Sequence, residues 1–273
     1  MTLVIVKAVG LVTVQDLGRA GSMHLAVPPG GALVPELLVA ANRAVRNFAA
    51  AAALEILGQL VVRAEAAITV AIDGDSSPRE LAAGDELAIE SGPRRCAYLA
   101  IRGGIDAPII LGGRGVLLCA ELGRPLRAGD VLRAEPSSLA SQTESEPIAP
   151  AETATVVASA APTVITIIAG PDGDAFASDA LGRLVSAPYR VLPSSDRVGT
   201  RLAGAVLERA PGYRERSRPM VIGALEVPGD GQPIVLGPEH PTTGGYPILA
   251  VIATAELGRF FAVRLGGWVK FRE

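Results

Sequence analysis

Short runs of β-branched residues, each bounded by glycine or proline, constrain the fold of this 273-residue chain more than any other feature. Such runs predict β-strands, because branched side chains pack well on a pleated sheet while glycine and proline favour turns. The runs are "TLVIVKAV", "AAITVAID", "CAYLAIRG", "PTVITIIAG", "PMVIGALEVP", "QPIVLG" and "ILAVIAT". Since 31 glycines and 21 prolines are available to form tight connections, the sequence predicts a mainly β protein.

Two segments predict helices instead. The segment 35–57, "PELLVAANRAVRNFAAAAALEIL", begins with a proline, which is favoured in a first helical turn, and repeats apolar residues every three or four positions. The segment 172–186, "DGDAFASDALGRLVS", begins with acidic residues, which stabilise a helix N-terminus. About one helix among several strands in each half favours two β-barrel-like domains over alternating βαβ units.

A change in composition divides the chain. Between 134 and 162 the sequence is rich in Ala, Ser, Thr, Glu and Pro and has no aromatic residue. Such a segment buries too little apolar surface to offset the entropy that is lost on ordering. We therefore expect an N-terminal β-barrel domain over 1–134, a flexible linker over 135–162 and a C-terminal β-barrel domain over 163–273.

The composition argues against several classes of function. A net charge of −3 gives no positive surface for nucleic acid or for an anionic membrane. No run approaches the roughly 20 apolar residues that span a bilayer, and the N-terminus lacks the features of a signal peptide, so we expect a cytoplasmic protein. Cys96 and Cys119 lie in apolar contexts and are expected to be buried free thiols, and with only two histidines we expect no metal site.

Two motifs in the first half combine charge with glycine. The motif "VTVQDLGRAG" (12–21) carries Asp16, which can accept hydrogen bonds from nearby backbone N–H groups, and Arg19, which can pair with a carboxylate or phosphate. In "HLAVPPGGA" (24–32), backbone N–H groups from Gly30 to Ala32 can form an anion-binding nest before a helix. Both motifs also have a purely structural alternative, as a turn with an ion pair and as a Pro-Gly passage into the helix.

Two motifs in the second half are also rich in hydrogen-bonding groups. In "SSDRVGTRLAG" (194–204), Arg197 and Arg201 can share a face of an extended segment and converge on a carboxylate or phosphoryl group. The alternative is an Asp–Arg pair on the rim of a barrel. The segment "GPEHPTTGGYP" (237–247) is longer and more polar than a hairpin turn requires. No Ser-His-Asp pattern and no GxSxG nucleophile elbow supports nucleophilic catalysis.

Taken in order, these motifs resemble one family. "TVQDLGRAGSMHLAVPPGGA", "YLAIRGGIDAP", "SSDRVGTRLAG" and "EVPGDGQPIVLGPEHPTTGGYP" are similar to the biotin-dependent carboxyltransferase family, which includes allophanate hydrolase subunit 2, the C subunit of 5-oxoprolinase and the KipA regulator. The resemblance covers nearly the whole chain outside the expected linker. It implies two cyclophilin-like β-barrel domains, and a partner similar to allophanate hydrolase subunit 1 or to the B subunit of 5-oxoprolinase.

The resemblance also implies an activity. It indicates a protein that acts with partner subunits in the ATP-dependent hydrolysis of a small cyclic or ureido amide, with ATP bound somewhere in the complex. The chain has no biotinyl-lysine motif such as "AMKM", so we expect no covalently bound cofactor, and biotin would arrive on another chain. Two alternatives remain open: a non-catalytic KipA-like regulator, and half of a carboxyltransferase that uses carboxybiotin from another chain.

The chain departs from the family pattern at several polar positions. The family typically reads "PPSGAMD" where this chain reads "PPGGALV", so Gly30 replaces a serine and Val34 replaces an acidic residue. The family typically reads "ADRQTTGGYP" where this chain reads "PEHPTTGGYP", so Glu239 replaces an aspartate, His240 an arginine and Pro241 a glutamine. If those polar residues carry the chemistry, this protein has altered or lost it.

Residue roles follow from amide chemistry together with the resemblance. Opening an amide needs donors to the carbonyl oxygen and a positioned acid or base. We expect Glu239 to act as the base with His240 as second candidate, and Arg197 and Arg201 to clamp a carboxylate or phosphoryl group. The expected substrate-binding residues are Asp16, Arg19, Gly30, Gly31, Thr242, Thr243, Gly244, Gly245 and Tyr246. Among these, the residues 242–245 would donate hydrogen bonds to the developing oxyanion.

Overall fold

The computed structural model describes residues 1–135 and 161–273. Contacts among these residues separate two compact units, one with residues 1–20 and 30–135 and the other with residues 21–29 and 161–273. The linker expected over 135–162 lies almost entirely outside the described residues. The domain boundaries expected from the sequence therefore stay a prediction.

The first unit is built on one seven-stranded sheet. Its strands are β1 (Thr2–Gln15), β2 (Ala53–Ala64), β3 (Ile68–Ile72), β4 (Arg79–Leu81), β5 (Glu86–Glu90), β6 (Ala97–Ile101) and β7 (Val131–Arg133). They lie in the order β4-β3-β6-β2-β1-β7, and β5 pairs with β2. The long strands β1 and β2 run antiparallel, and alternate residues on them, such as Leu3, Val12, Leu54 and Ile56, form an aliphatic core.

The helix of the first unit, α1 (Pro35–Ala44), is shorter than the helix predicted over 35–57. The chain turns at Arg46, whose φ is 61°, and β2 already begins at Ala53. The alanine-rich segment has a high helix propensity, but β2 pairs with β1, β5 and β6 and is central to the sheet. Tertiary pairing therefore overrides the local preference, and the second half of the predicted helix is wrong.

The second unit contains a closed barrel. Its strands are β8 (Thr163–Ala169), β9 (Tyr189–Val191), β10 (Gly199–Ala203), β11 (Arg218–Pro219), β12 (Ala224–Glu226), β13 (Ile234–Leu236), β14 (Thr243–Gly244), β15 (Ile248–Ile252) and β16 (Trp268–Arg272). The barrel order is β10-β13-β12-β15-β8-β16-β9, and β11 and β14 form a separate two-stranded sheet. Three buried aromatic rings, those of Tyr189, Phe260 and Phe271, pack together in this unit.

The second unit has two short helices, α2 (Ala180–Ser186) and α3 (Leu257–Phe261). The helix predicted over 172–186 is therefore confirmed only in its second half. Phe176 has an extended backbone and forms an isolated β-bridge with Arg209, which interrupts helical hydrogen bonding before α2. Helix α3 was not predicted, because five residues are too few to show a helical period.

The prediction of a mainly β protein is confirmed, and the second unit has the closed barrel that the resemblance implied. Across the described residues, no helix combines the length and apolar character needed to cross a membrane. One expectation on the cysteines is wrong. Cys96 is buried, but Cys119 is exposed, because it lies in a surface 3-10 turn, Leu118–Ala120, rather than in a strand.

Candidate functional site

The polar segment 237–247 connects β13 to β15, and its front half is held by the residues that precede β10. The N–H of Gly237 donates to the carbonyl of Val198 (2.9 Å), and the N–H of Glu239 donates to the carbonyl of Arg197 (3.1 Å). A Cβ on Gly237 would lie 2.3 Å from the carbonyl oxygen of Arg197, so only glycine permits this approach. The backbone thereby brings together Arg197 and Glu239, which are 42 positions apart.

Arg197 and Glu239 form a buried ion pair. The Nε of Arg197 donates to Oε1 of Glu239 at 2.6 Å, and each side chain is only 2% exposed. Burying either charge alone would be costly, so each group depends on the other for its place in the fold. The ion pair thus fixes one oxygen of the Glu239 carboxylate, and the expected clamp of Arg197 on a substrate stays a prediction.

Arg201 does not share this environment. It lies on β10, where Thr200 and Leu202 are buried and Arg201 is exposed. Its charge is close enough to oppose part of the rise that burial causes in the pKa of Glu226. The expectation that Arg197 and Arg201 share one face of an extended segment is wrong. Arg197 lies in a turn before β10, in which the Asp196 carboxylate accepts the N–H groups of Val198 and Gly199.

His240 is buried directly after Glu239. Its Nδ1 lies 2.8 Å from the carbonyl oxygen of Pro241, and because a carbonyl can only accept, Nδ1 carries the proton of the neutral ring and Nε2 keeps its lone pair. Burial lowers the pKa of the imidazole, and the Pro241 carbonyl offsets only part of that effect. His240 is thus a neutral group whose Nε2 can accept a proton or a hydrogen bond.

The second half of the segment 237–247 runs beside β11. Strand β14 pairs Gly244 with Arg218, and the carbonyl of Thr242 accepts the N–H of Met220 (3.1 Å). A Cβ on Gly244 would lie 2.5 Å from Met220 Cε. This pairing fixes the direction of the backbone, while the residues along it are accessible to different extents: Thr242 and Gly245 are half-buried, and Thr243 and Tyr246 are exposed.

The expected binding residues of the first unit form a separate arrangement. Asp16 is buried, and its carboxylate accepts the N–H of Gly18 (2.8 Å), which confirms the predicted turn, and the N–H of Arg114 (2.5 Å). Its carbonyl accepts the N–H of Ala32 (2.8 Å). Asp16 therefore ties three segments of the unit together and acts as a structural anchor.

Arg19 is 3% exposed and is held by backbone carbonyls. Its Nε donates to Ile110 (3.1 Å) and its Nη2 to Gly115 (2.5 Å), while Nη1 has no hydrogen-bond partner among the described residues. Arg19 and Arg114 line a cavity of about 170 Å³ whose other walls are mainly apolar. Nη1 is thus a buried donor of Arg19 whose hydrogen bond is not made within the described residues.

Gly30 and Gly31 are buried with φ of 60° and 84°. A Cβ on Gly31 would lie 2.7 Å from the backbone nitrogen of Gly18, and one on Gly30 would lie 3.3 Å from Nη1 of Arg19. The expected anion-binding nest is wrong in one part, because the N–H of Ala32 already donates to Asp16. The two glycines instead allow close packing against the Arg19 segment.

The sequence analysis gave no role to Asp172, Arg218 or Glu226 of the second unit. Asp172 is buried, forms an ion pair with Arg218 (2.6 Å) and accepts the N–H of Ile248 (2.8 Å). Glu226 is a buried carboxylate beside Arg201. The available signals were an acidic residue directly after the "GP" that follows β8, and a glutamate at the end of an apolar strand. Among the described residues, no group of three or more His, Cys, Asp or Glu is arranged to hold a metal ion.

Comparison with known proteins gives relatives along nearly the whole chain. It is 31% identical to the C subunit of 5-oxoprolinase from Escherichia coli, with 98% of this chain and 89% of the relative covered. It is also 31% identical to urea amidolyase of Lachancea kluyveri, with 95% of this chain but 16% of that protein covered. The crystal structure of Kluyveromyces lactis urea carboxylase is similar with a TM-score of 0.83 and 25% identity, over 99% of this chain and 27% of that one.

The chain therefore corresponds to a small part of the urea amidolyase and urea carboxylase, and to most of the 5-oxoprolinase subunit. A family model agrees with these relatives. Residues 25–273 match the family described as "Carboxyltransferase domain, subdomain A and B". The chain belongs to this carboxyltransferase domain family, as the motifs from "PPGGA" to "TTGGYP" predicted.

Proposed function

We propose that the chain is one subunit of a multi-subunit enzyme of the 5-oxoprolinase type, which hydrolyses a small cyclic or ureido amide at the expense of ATP. One observation carries the proposal: the C subunit of Escherichia coli 5-oxoprolinase aligns with 98% of this chain over 89% of its own length. The similarity therefore extends over most of both chains. The proposed partner is a protein similar to the 5-oxoprolinase B subunit or to allophanate hydrolase subunit 1, and the complex is proposed to be cytoplasmic.

The proposed chemistry is centred on the carboxylate of Glu239. The buried guanidinium of Arg197 holds one of its oxygens at 2.6 Å, so the carboxylate has a fixed direction before substrate arrives. A carboxylate in this position accepts a hydrogen bond from an amide N–H or takes a proton from an attacking water. Arg197 acts through Glu239 and is proposed as a positioning residue.

The remaining residues of the segment 237–247 are proposed to serve the other atoms of the amide. The Nε2 of neutral His240 accepts a second hydrogen bond or proton. The hydroxyls of Thr242 and Thr243 and the N–H groups of Gly244 and Gly245 donate to the carbonyl oxygen as it gains negative charge. The pairing of β14 with β11 supports this role, because it holds the backbone of this region in one direction.

The other proposed binding groups of the second unit hold the parts of the substrate that do not react. Exposed Arg201 is proposed to attract a carboxylate or phosphoryl group, and exposed Tyr246 to cover the bound ligand. Asp16, Arg19, Gly30 and Gly31 are proposed as binding residues of the first unit by itself. Of these, Arg19 has the best support, because its Nη1 is a buried donor without a partner among the described residues.

Reconstitution tests the proposal. The chain is purified with a partner of the 5-oxoprolinase B type and with the third subunit, and consumption of 5-oxoproline is measured with and without ATP. The proposal expects turnover only when all components and ATP are present, and a large loss in Glu239→Gln. The control is Glu208→Gln, an exposed glutamate of the same unit, which should retain activity. Equal turnover without this chain would support a KipA-like regulator instead.

A second candidate has its own support. The chain resembles part of Kluyveromyces lactis urea carboxylase over 99% of its length, and its family is described as a carboxyltransferase domain. It would then form half of a carboxyltransferase that takes carboxybiotin from another chain. Transfer of labelled CO2 from a carboxylated biotin carrier to an amide acceptor, dependent on this chain and its partner, would favour this candidate over amide hydrolysis.

A further inference from the structure

An open cavity of about 470 Å³ lies in the second unit, apart from the Arg197–Glu239 pair, and no proposed role uses it. Its lining is Pro171, Asp172, Asp174, Gly212, Tyr213, Arg214, Arg216 and Arg218. Cavities that hold small molecules in proteins are about 300–1,000 Å³ in volume. The cavity therefore has the size of a ligand site, and most of its side chains are charged.

Three arginines reach the cavity from one short segment that leads into β11. Arg214, Arg216 and Arg218 stand at alternate positions, and all three line the cavity, as alternate residues of an extended chain can. Glu215, which lies between them, forms an ion pair with Arg209 instead (2.6 Å). The three arginines therefore line the cavity, while the glutamate between them is paired with an arginine that does not line it.

The inner wall of the cavity is fixed by hydrogen bonds. Asp172 pairs with Arg218 at 2.6 Å, and the hydroxyl of Tyr213 donates to the same carboxylate at 3.4 Å. Arg214 and Arg216, in contrast, are exposed and have no ion-pair partner within the described part of the chain. A preformed wall with two unpaired guanidinium groups beside it is a typical arrangement for an anion site.

The charges of the lining favour an anion over a cation. The cavity has three arginines and two aspartates, and the pair of Asp172 with Arg218 leaves Arg214 and Arg216 against Asp174 alone. The excess is positive although the whole chain has a net charge of −3. Guanidinium forks match the oxygens of phosphate, which has more oxygens and more charge than a carboxylate and can engage two arginines at once.

The wall of the cavity is also connected to the segment 237–247 at two points. Arg218 lies on β11 and pairs with Gly244 on β14. Asp172 accepts the N–H of Ile248, directly after that segment, at 2.8 Å. A phosphate that engages Arg218 therefore contacts a residue that is paired directly with the "GGYP" portion.

We propose that this cavity binds the phosphate group of a small phosphorylated molecule through Arg214, Arg216 and Arg218. The phosphate can come from a nucleotide or from a smaller phosphate compound. The site goes beyond the proposed amide chemistry and does not depend on it, because binding is measured on this chain alone. Failure of the reconstituted enzyme would leave the binding result unchanged, and the reverse also holds.

Calorimetric titration of the full-length chain with inorganic pyrophosphate tests the site. Saturable binding with one ligand per chain is expected, and Arg214→Ala/Arg216→Ala should weaken it by about a hundredfold, since each of the two charge-assisted hydrogen bonds contributes about tenfold. The control is Arg190→Ala/Arg264→Ala, which removes the same charge from two exposed arginines of the same unit outside the cavity. It should bind pyrophosphate as the unchanged chain does.

A further variant gains binding, which a folding defect cannot imitate. Asp174→Asn removes the unpaired carboxylate of the cavity and should tighten pyrophosphate binding. A second ligand identifies the source of the phosphate. ATP that binds more tightly than pyrophosphate indicates a nucleotide, and weaker ATP binding indicates a smaller phosphate compound.

Three results would overturn the proposal. The first is no binding of pyrophosphate at millimolar concentration. The second is equal weakening in the Arg190→Ala/Arg264→Ala control, which would indicate general attraction by positive charge. The third is equally tight binding of glutarate, a dicarboxylate, because the site would then recognise carboxylates rather than phosphate.

Discussion

Each unit of this protein contains a buried arginine that packs against a glycine-containing segment, Arg19 in the first unit and Arg197 in the second, and the two have different partners. In the second unit, Arg197 faces the carboxylate of Glu239 at 2.6 Å. In the first unit, Arg19 donates to the backbone carbonyls of Ile110 and Gly115 and has no ion pair with a carboxylate among the described residues. A buried arginine is thus held by a carboxylate in the second unit and by backbone carbonyls in the first.

The sequence analysis predicted the same role for Arg19 and Arg197, which was to bind a carboxylate or phosphate group, and the structure gives them different surroundings. A carboxylate cancels the charge of a guanidinium, whereas a set of carbonyls satisfies its N–H groups and leaves its charge in place. The charge of Arg197 is therefore balanced by Glu239. Arg19, which also has an unsatisfied Nη1, keeps both a donor and a net positive charge for a ligand.

The largest expected effect is the loss of one member of the buried pair. Arg197→Met leaves the carboxylate of Glu239 buried without a counter-charge, and should lower the free energy of unfolding by about 3–5 kcal/mol. Urea unfolding followed by circular dichroism measures the change. The double variant Arg197→Met/Glu239→Leu is the control and should be more stable than Arg197→Met alone, because no unpaired charge remains. A double variant as unstable as the sum of its singles would contradict the pairing.

The next effect concerns the backbone against which Arg19 is packed. Gly31 has φ of 84°, and a Cβ there would lie 2.7 Å from the nitrogen of Gly18. Gly31→Ala should therefore lower the free energy of unfolding by roughly 3 kcal/mol, from backbone strain and steric overlap together. Gly74→Ala is the matched control, since its φ is 94° and nothing lies within 4 Å of its Cβ position. Equal effects of both changes would show that strain alone is responsible.

The fold class could be predicted from the sequence because strand signals are local. The apolar run "ITVAI", for example, is rich in β-branched residues and becomes β3. The helix predicted over 35–57 shows the limit of this reasoning. Leu54 and Ile56 are two positions apart, which is a strand spacing, but their pairing with Leu99 and Ala97 on β6 is decided by residues more than 40 positions away.

The candidate site shows the same limit more strongly. The motifs identified Arg197, Glu239 and Arg19 as residues of interest, because charge beside glycine is visible in the sequence. Their partners were not visible. The pairing of Arg197 with Glu239 spans 42 positions and that of Arg19 with Gly115 spans 96, so only the folded chain distinguishes a carboxylate partner from a carbonyl.

A smaller effect tests the unsatisfied donor of Arg19. A Cβ on Gly30 would lie 3.3 Å from Nη1 of Arg19 and 3.2 Å from Leu117 Cδ1, at φ of 60°. Any side chain there is strained, but the hydroxyl of a serine can accept a hydrogen bond from Nη1. Gly30→Ser should therefore be more stable than Gly30→Ala by about 1 kcal/mol in thermal or urea unfolding. Equal stability of the two variants would mean that Nη1 already has a partner, such as water.

The smallest effect concerns His240, the titratable neighbour of the Arg197–Glu239 pair. Burial lowers the pKa of His240 below its ordinary value of 6.5, so the unfolded chain takes up a proton first as the pH falls. The stability that neutral His240 contributes is therefore complete above pH 6.5 and is lost as the pH falls toward the lowered pKa. In His240→Gln, the amide can donate to the Pro241 carbonyl in place of Nδ1 but does not titrate. Urea unfolding from about pH 8 to about pH 5 should show the unchanged chain losing stability relative to this variant only below about pH 6.5. A constant difference across that range would mean that the imidazole of His240 is not desolvated in the folded chain.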